Sequence, residues 1–246
     1  MPPEGHPAPS WMHVVQRLFP DGNDVHAHGP LLHGTGRVGE RVIAVIGSCG
    51  HPEIGVELAL AMAERVLSTV RDDPGRALLF LVDTEGQRLR RRDELLGLHR
   101  YMAHLAASVA LARTCGHAVI ALVYDQALSG GFLPTGMMAD HCAALPDAEI
   151  RVMNLPAMAR VTRIPLERLT ALAITSPVFA PGAVNYLRMG GLAAIWDGDL
   201  ASALVAALAD VPDHDARREW GHARGGRALA HDVARRVLES PLPEEW

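Results

Sequence analysis

Two short loops hold the residue types best suited to chemistry: Asp83-Thr84-Glu85-Gly86-Gln87 and Ser129-Gly130-Gly131-Phe132. Neither contains lysine, cysteine or histidine. What they offer is main chain. Glycine lets a backbone turn sharply and lets a ligand approach it closely. The first N–H groups of a helix lack intrahelical partners and carry partial positive charge. Two such loops on one sheet edge could aim N–H donors at a single oxygen, forming an oxyanion hole without a reactive side chain. Two tight strand-to-helix turns would use the same residues, and the spacing leaves both readings open.

Other motifs carry less. Gly34-Thr35-Gly36-Arg37-Val38-Gly39 matches a dinucleotide fingerprint, but that motif must follow a strand and open a helix. Here an apolar run comes after it, so we read a turn leading into a strand. His26, His28 and His33 could ligate a metal, yet their Gly/Pro-rich segment has no carboxylate set beside it. We read them as solvated and expect no metal site. Cys49, Cys115 and Cys142 lie near His51, His117 and His141 without CxxC or HExxH spacing, and read as structural. Ser129 does not sit in a G-x-S-x-G elbow. Arg88, Arg90, Arg91 and Arg92 form a basic run. It fits a solvated helix start, or a surface that docks phosphate or an acidic partner through guanidinium forks.

Three apolar runs, 41–47, 77–83 and 118–124, must position these loops. Each is followed by a loop and a helical pattern. Ile54, Leu58, Met62, Val66 and Val70 recur at one helical face, and Leu95, Leu98, Met102, Leu105 and Val109 at another. Buried strands alternating with helices predict an α/β fold around a mostly parallel sheet. The runs CAALP and EIRVM predict short strands after Asp140. Residues 155–210 read as mainly helical, with breaks at Pro165, Pro177 and Pro181. The Pro-, Gly- and His-rich residues 1–40 read as a loosely structured segment, 41–212 as the domain and 213–246 as a helical tail.

Composition narrows the function classes. The chain has 246 residues, 49% hydrophobic and 21% charged, enough for a substantial core. A net charge of −5 argues against nucleic acid as the main partner. No run approaches the roughly 18 apolar residues of a membrane span, and the N-terminal residues lack a secretory pattern. Three cysteines without motif spacing suggest free thiols and a cytoplasmic location. All 23 basic residues are arginine. A lysine-free chain forms no pyridoxal Schiff base, carries no biotinyl-lysine and has no Walker lysine.

The strings VDTEGQRLRRRDELLG, YMAHLA, LVYDQALSGGFLPTGMMAD, ALPDAEIRVMNLPAMARVT and SPVFAPGAVNYLRMGG, in this order, resemble the gamma subunit of biotin-independent malonate decarboxylase. That family lies in the carboxyltransferase branch of the crotonase-like superfamily. The resemblance implies a crotonase-like spiral of strand–strand–helix units over about 41–200. It implies a homologous beta subunit as partner, with which the chain decarboxylates malonyl-S-acyl-carrier-protein to the acetyl thioester and carbon dioxide. A separate alpha subunit exchanges acetyl for malonyl on the carrier. The prosthetic phosphoribosyl-dephospho-coenzyme A arm belongs to that acyl carrier protein, so no cofactor is expected on this chain. Gly130 and Gly131 match the family's helix-start oxyanion site, and Gly86 and Gln87 sit where the adjoining loop contributes backbone donors. Glu85 stands where related carboxyltransferases carry proline.

Two alternatives remain at this level. One is a non-catalytic scaffold that supports the beta subunit and docks the carrier. The other is a free-standing crotonase-type enzyme on acyl-coenzyme A, which would need an acid or base from Glu85, Asp83 or Asp125.

Overall fold

A computed structural model describes residues 10–153, 155–175, 182–225 and 228–241. Its backbone is a mixed sheet with helices on both faces. The central strands are β3 (Arg41–Ser48), β5 (Leu78–Thr84) and β7 (Val119–Leu128), all mutually parallel. β8 (His141–Ala144) and β10 (Ala194–Ile195) extend the parallel set beyond β7. At the other edge β2 (Leu31–Val38) and β1 (His26–His28) add antiparallel pairs, giving the order β1-β2-β3-β5-β7-β8-β10. β9 (Glu149–Arg151) pairs with the far end of β7, and β4 (Glu53–Ile54) and β6 (Gly86–Gln87) form a separate parallel pair.

Alternation along the strands divides the core. Ile46, Phe80, Val82, Ala121 and Val123 face α2 (Val56–Asp72) and α4 (Leu98–Thr114), which bury Leu58, Met62, Val66, Leu105 and Val109 against them. Val45, Leu79, Leu81, Ile120 and Leu122 face α1 (Trp11–Leu18) and α8 (Leu200–Asp210), through Val14, Leu18, Leu200 and Leu204. Truncating one such leucine to alanine costs about 2–5 kcal/mol. Strands buried on both faces explain the continuous apolar runs.

The structure corrects the reading of residues 1–40 as loose over their described part, 10–40. Ser10 caps α1 by accepting the His13 N–H. β2 forms a hairpin with β3 in which Val38 pairs with Arg41, so a boundary at residue 40 would cut a continuous ladder. The Gly34–Gly39 string is mostly strand, not turn; a side chain on Gly36 would overlap the Phe19 ring. His26 and His33 are cross-strand partners. The expected second helix is broken at Gly97, whose left-handed φ of +79° separates α3 (Arg91–Leu96) from α4.

Downstream lie α5 (Leu155–Thr162), α6 (Leu166–Thr175), α7 (Ala183–Arg188), α9 (Arg217–Ala223) and α10 (Ala228–Glu239). Residues 1–9 of the entry segment, the Pro177 and Pro181 breaks, and residues 242–246 of the tail fall outside the described residues. The start of the tail is tied to the body. Arg113, at the end of α4 and only 8% exposed, donates to Asp140 at 2.6 Å and to Asp215 at 2.8 Å.

Candidate functional site at the carboxyl ends of the strands

The two glycine loops meet where β5 and β7 end. The Thr84 hydroxyl donates to the Pro52 carbonyl at 2.9 Å, and the Glu85 N–H donates to the same oxygen at 3.0 Å. The chain then turns at Gly86, with φ +107°, into the β4–β6 pair. On the other side the Ser129 hydroxyl donates to the Val152 carbonyl at 2.6 Å. A β-carbon on Gly131 would lie 2.9 Å from Gly86 Cα and 2.9 Å from Thr84 Oγ1. The loops are therefore in backbone contact, and a side chain at Gly131 would push them apart.

Two of the expected donors are committed within the chain. The Gly86 N–H donates to Thr84 Oγ1 at 3.0 Å. The Gly130 N–H donates to the side-chain oxygen Oε1 of Gln87 at 2.9 Å. The segment after the glycines also differs from expectation. Ser129–Gly131 make a single 3-10 turn, and Leu133–Met137 continue as a π turn. Pro134 has no N–H to complete an α turn. Residues Asp125 to Leu128, read as loop, extend β7, and Gln126 to Leu128 pair with β9.

Three of the four arginines are tied back to β4 and α2. Arg88 and Arg90 reach Glu53 at 3.9 and 3.5 Å, and Arg88 also reaches Glu57 at 3.8 Å. Arg92 pairs with Glu57. Among the described residues only Arg91 of the four makes no ion pair. Buried Asp93, at the end of the run, accepts the Val56 N–H and so serves the start of α2.

A third group was not apparent from spacing. His51 follows β3, Asp83 is the penultimate residue of β5 and Asp125 lies in the last part of β7, and the three side chains converge. His51 Nε2 lies 2.6 Å from Asp125 Oδ2 and 3.7 Å from Asp83 Oδ1. The His51 backbone N–H donates to Asp83 Oδ2 at 2.9 Å. Burial raises the Asp83 carboxyl to about 6. Burial pulls the His51 imidazole down, but the hydrogen bond to Asp125 and the nearby carboxylates outweigh it and hold it above its ordinary value. The Tyr124 hydroxyl donates to the Ser48 carbonyl at 2.9 Å behind this group. A cavity of about 530 Å³ opens elsewhere, between Arg113, His117, Asp140 and Asp213, and none of these site residues lines it.

Residues 50–241 match the family model for the malonate decarboxylase gamma subunit. The chain belongs to that family. This gamma subunit is 30% identical over 202 residues to the malonyl-S-ACP:biotin-protein carboxyltransferase MADD of Malonomonas rubra, covering 73% of this chain and 69% of that protein. It superimposes on a Pseudomonas malonate decarboxylase hetero-tetramer crystallised with coenzyme A, with a TM-score of 0.75 and 27% identity over 95% of this chain and 98% of that one. A Pseudomonas MdcD–MdcE hetero-dimer gives a TM-score of 0.70 and 27% identity, covering 89% and 97% of the two chains. Transcarboxylase 12S, at 20% identity and a TM-score of 0.69 over 86% of this chain and 43% of that one, shares the fold. The gamma subunit thus has the crotonase fold of the carboxyltransferases and is a decarboxylase subunit that acts within a complex.

Proposed function

We propose that this gamma subunit supplies one half of a shared site that decarboxylates a malonyl thioester on an acyl carrier protein. A homologous beta subunit supplies the other half. The observation that carries this reading is the Gly130 N–H. It already holds an sp² oxygen, Oε1 of Gln87, at 2.9 Å, where two glycine loops touch. A thioester carbonyl or carboxylate oxygen has the same acceptor chemistry and can take that place when Gln87 swings aside.

The reaction breaks the bond between the α-carbon and the carboxylate. Its electron pair moves into the thioester carbonyl, giving an enolate and carbon dioxide; the α-carbon then takes a proton. Backbone donors around Gly130 and Gly131 stabilise the oxygen on which charge builds. Losing one such donor costs about 3–4 kcal/mol in comparable enzymes. Exposed Leu89 and Leu133 stand beside these loops in sequence, exposed Val152 is tied to the second loop through its carbonyl, and together they offer a partner an apolar rim. Arg91, without an ion pair among the described residues, suits docking of the anionic carrier; Arg88, Arg90 and Arg92 serve chiefly to brace the loop. The thioester arm, phosphoribosyl-dephospho-coenzyme A, resides on the acyl carrier protein, and a chain without lysine carries no biotinyl group itself. An alpha subunit reloads the carrier.

The test is reconstitution. The chain and its beta subunit, each alone, should turn over malonyl-carrier slowly, and mixing them should restore the rate. Full activity of the beta subunit alone would leave this chain a scaffold.

A further inference from the structure

We infer that His51, Asp83 and Asp125 form a binding site for one divalent transition-metal ion of the Zn²⁺ or Mn²⁺ class. One imidazole nitrogen from the loop after β3 and two carboxylate oxygens from β5 and β7, the next two parallel strands in the sheet, lie within 4.8 Å of one another. Imidazole with two carboxylates is a borderline-to-hard donor set that suits these ions.

Asp83 carries the argument furthest. Its side chain is 2% exposed. Its Oδ2 is fixed by the His51 backbone N–H at 2.9 Å, with the Tyr124 hydroxyl 3.5 Å away. Its Oδ1 is buried and has no hydrogen-bond partner among the described residues, yet it faces His51 Nε2 at 3.7 Å. A carboxylate with one oxygen held and the other left open is how outer partners orient a metal ligand. Leaving a buried carboxylate oxygen unpaired is costly, and a bound cation is one group that removes the cost.

The distances are near those required. Ligand bonds of about 2.0–2.2 Å put neighbouring tetrahedral ligand atoms about 3.4 Å apart. The observed 2.6 Å from His51 Nε2 to Asp125 must open and the 3.7 Å to Asp83 must close. Both are side-chain adjustments of under about one ångström. Among the described residues no arginine pairs with Asp83 or Asp125. His51 itself has φ +52°, an unusual backbone state that sets its imidazole over both carboxylates. It is half-exposed, so positions opposite the protein ligands remain open to water or another small oxygen ligand.

The test uses the full chain in complex with its partner subunits, stripped with EDTA and titrated calorimetrically with ZnCl₂ and, separately, MnCl₂. One ion per gamma chain is expected beyond any bound by a complex carrying His51→Gln, Asp83→Asn or Asp125→Asn. Each variant should weaken that site by about 100-fold or more, since removing a ligand exceeds the 10- to 100-fold effect of its outer partners. With Mn²⁺ bound, electron spin-echo spectra should show a ¹⁴N coupling that His51→Gln abolishes. Identical titrations for the wild type and the variants, or no uptake at millimolar ion, overturn the site. Should Asp83→Asn fail to fold, the less buried His51 and Asp125 variants decide the matter alone.

Discussion

The side-chain carbonyl of Gln87 accepts the Gly130 backbone N–H at 2.9 Å, bridging the two glycine loops. If that oxygen marks the substrate's place, Gln87 competes with substrate. Gln87→Ala should then lower KM for the malonyl-carrier by about fivefold, the equivalent of one hydrogen bond of about 1 kcal/mol. Steady-state kinetics on the assembled complex check this. A higher KM with a tenfold or greater loss of kcat would make Gln87 a brace for the loops instead.

Gly131→Ala puts a methyl group 2.9 Å from Gly86 Cα and Thr84 Oγ1, and one loop must yield. The expected result is an assembled complex whose kcat falls by about 100-fold, the scale of one lost oxyanion donor. Gly221→Ala is the control: it lies in α9, its added carbon meets nothing within 4 Å, and the rate should not change. Unchanged kcat for Gly131→Ala would reduce the loop to a tight turn.

Arg113 neutralises Asp140 inside the fold and holds Asp215 at the start of the tail. Arg113→Leu leaves Asp140 nearly buried without its cation and should cost about 3–5 kcal/mol. Adding Asp140→Asn should recover part of this, because the amide oxygen can still accept the Val119 N–H. Urea denaturation of both variants measures it. Equal stability of Arg113→Leu and wild type would contradict the buried pairing.

His141 opens β8, and its Nε2 is buried without a hydrogen-bond partner among the described residues. Burial lowers its pKa from 6.5 to about 4. Between these values the unfolded chain binds a proton that the folded chain refuses, so stability falls as pH drops through the window. The loss totals at most about 3 kcal/mol. Above 6.5 neither state is charged, and below about 4 both are. His141→Gln should flatten this limb in denaturation series run from pH 7 to 4. Parallel curves for the two proteins would show a solvated imidazole.

The central strands were readable from sequence because burial on both faces leaves unbroken apolar runs: 41–47 became Arg41–Ser48, and 77–83 became Leu78–Thr84. The N-terminal helix left a fair signal, a serine cap before Val14, Val15 and Leu18, but its Pro- and Gly-rich flanks obscured it. The Gly97 break was hidden because the apolar period runs through it, and a left-handed φ leaves no mark on hydrophobic spacing. At the site, the glycines could be located but not their hydrogen bonds, since where Gln87 sends its amide depends on tertiary approach. The convergence of His51, Asp83 and Asp125 depends on topology. These residues are far apart in the chain, and only successive parallel strands set their ends side by side.

The π turn at Leu133–Met137 makes chain length, rather than composition, the constraint on the segment behind the glycine pair. A π turn accommodates one residue more than an α turn. Here it lays Gly136 directly beneath the Phe132 ring, where any β-carbon would fall about 2.1 Å from a ring carbon. Deleting one residue would leave the turn without the extra residue its geometry holds, and the Phe132–Gly136 packing and the chain beyond it would have to shift. Ala139 and Asp140 would lose their place before β8, and Arg113 would lose its buried carboxylate. A lost residue here would therefore be felt at the far end of α4.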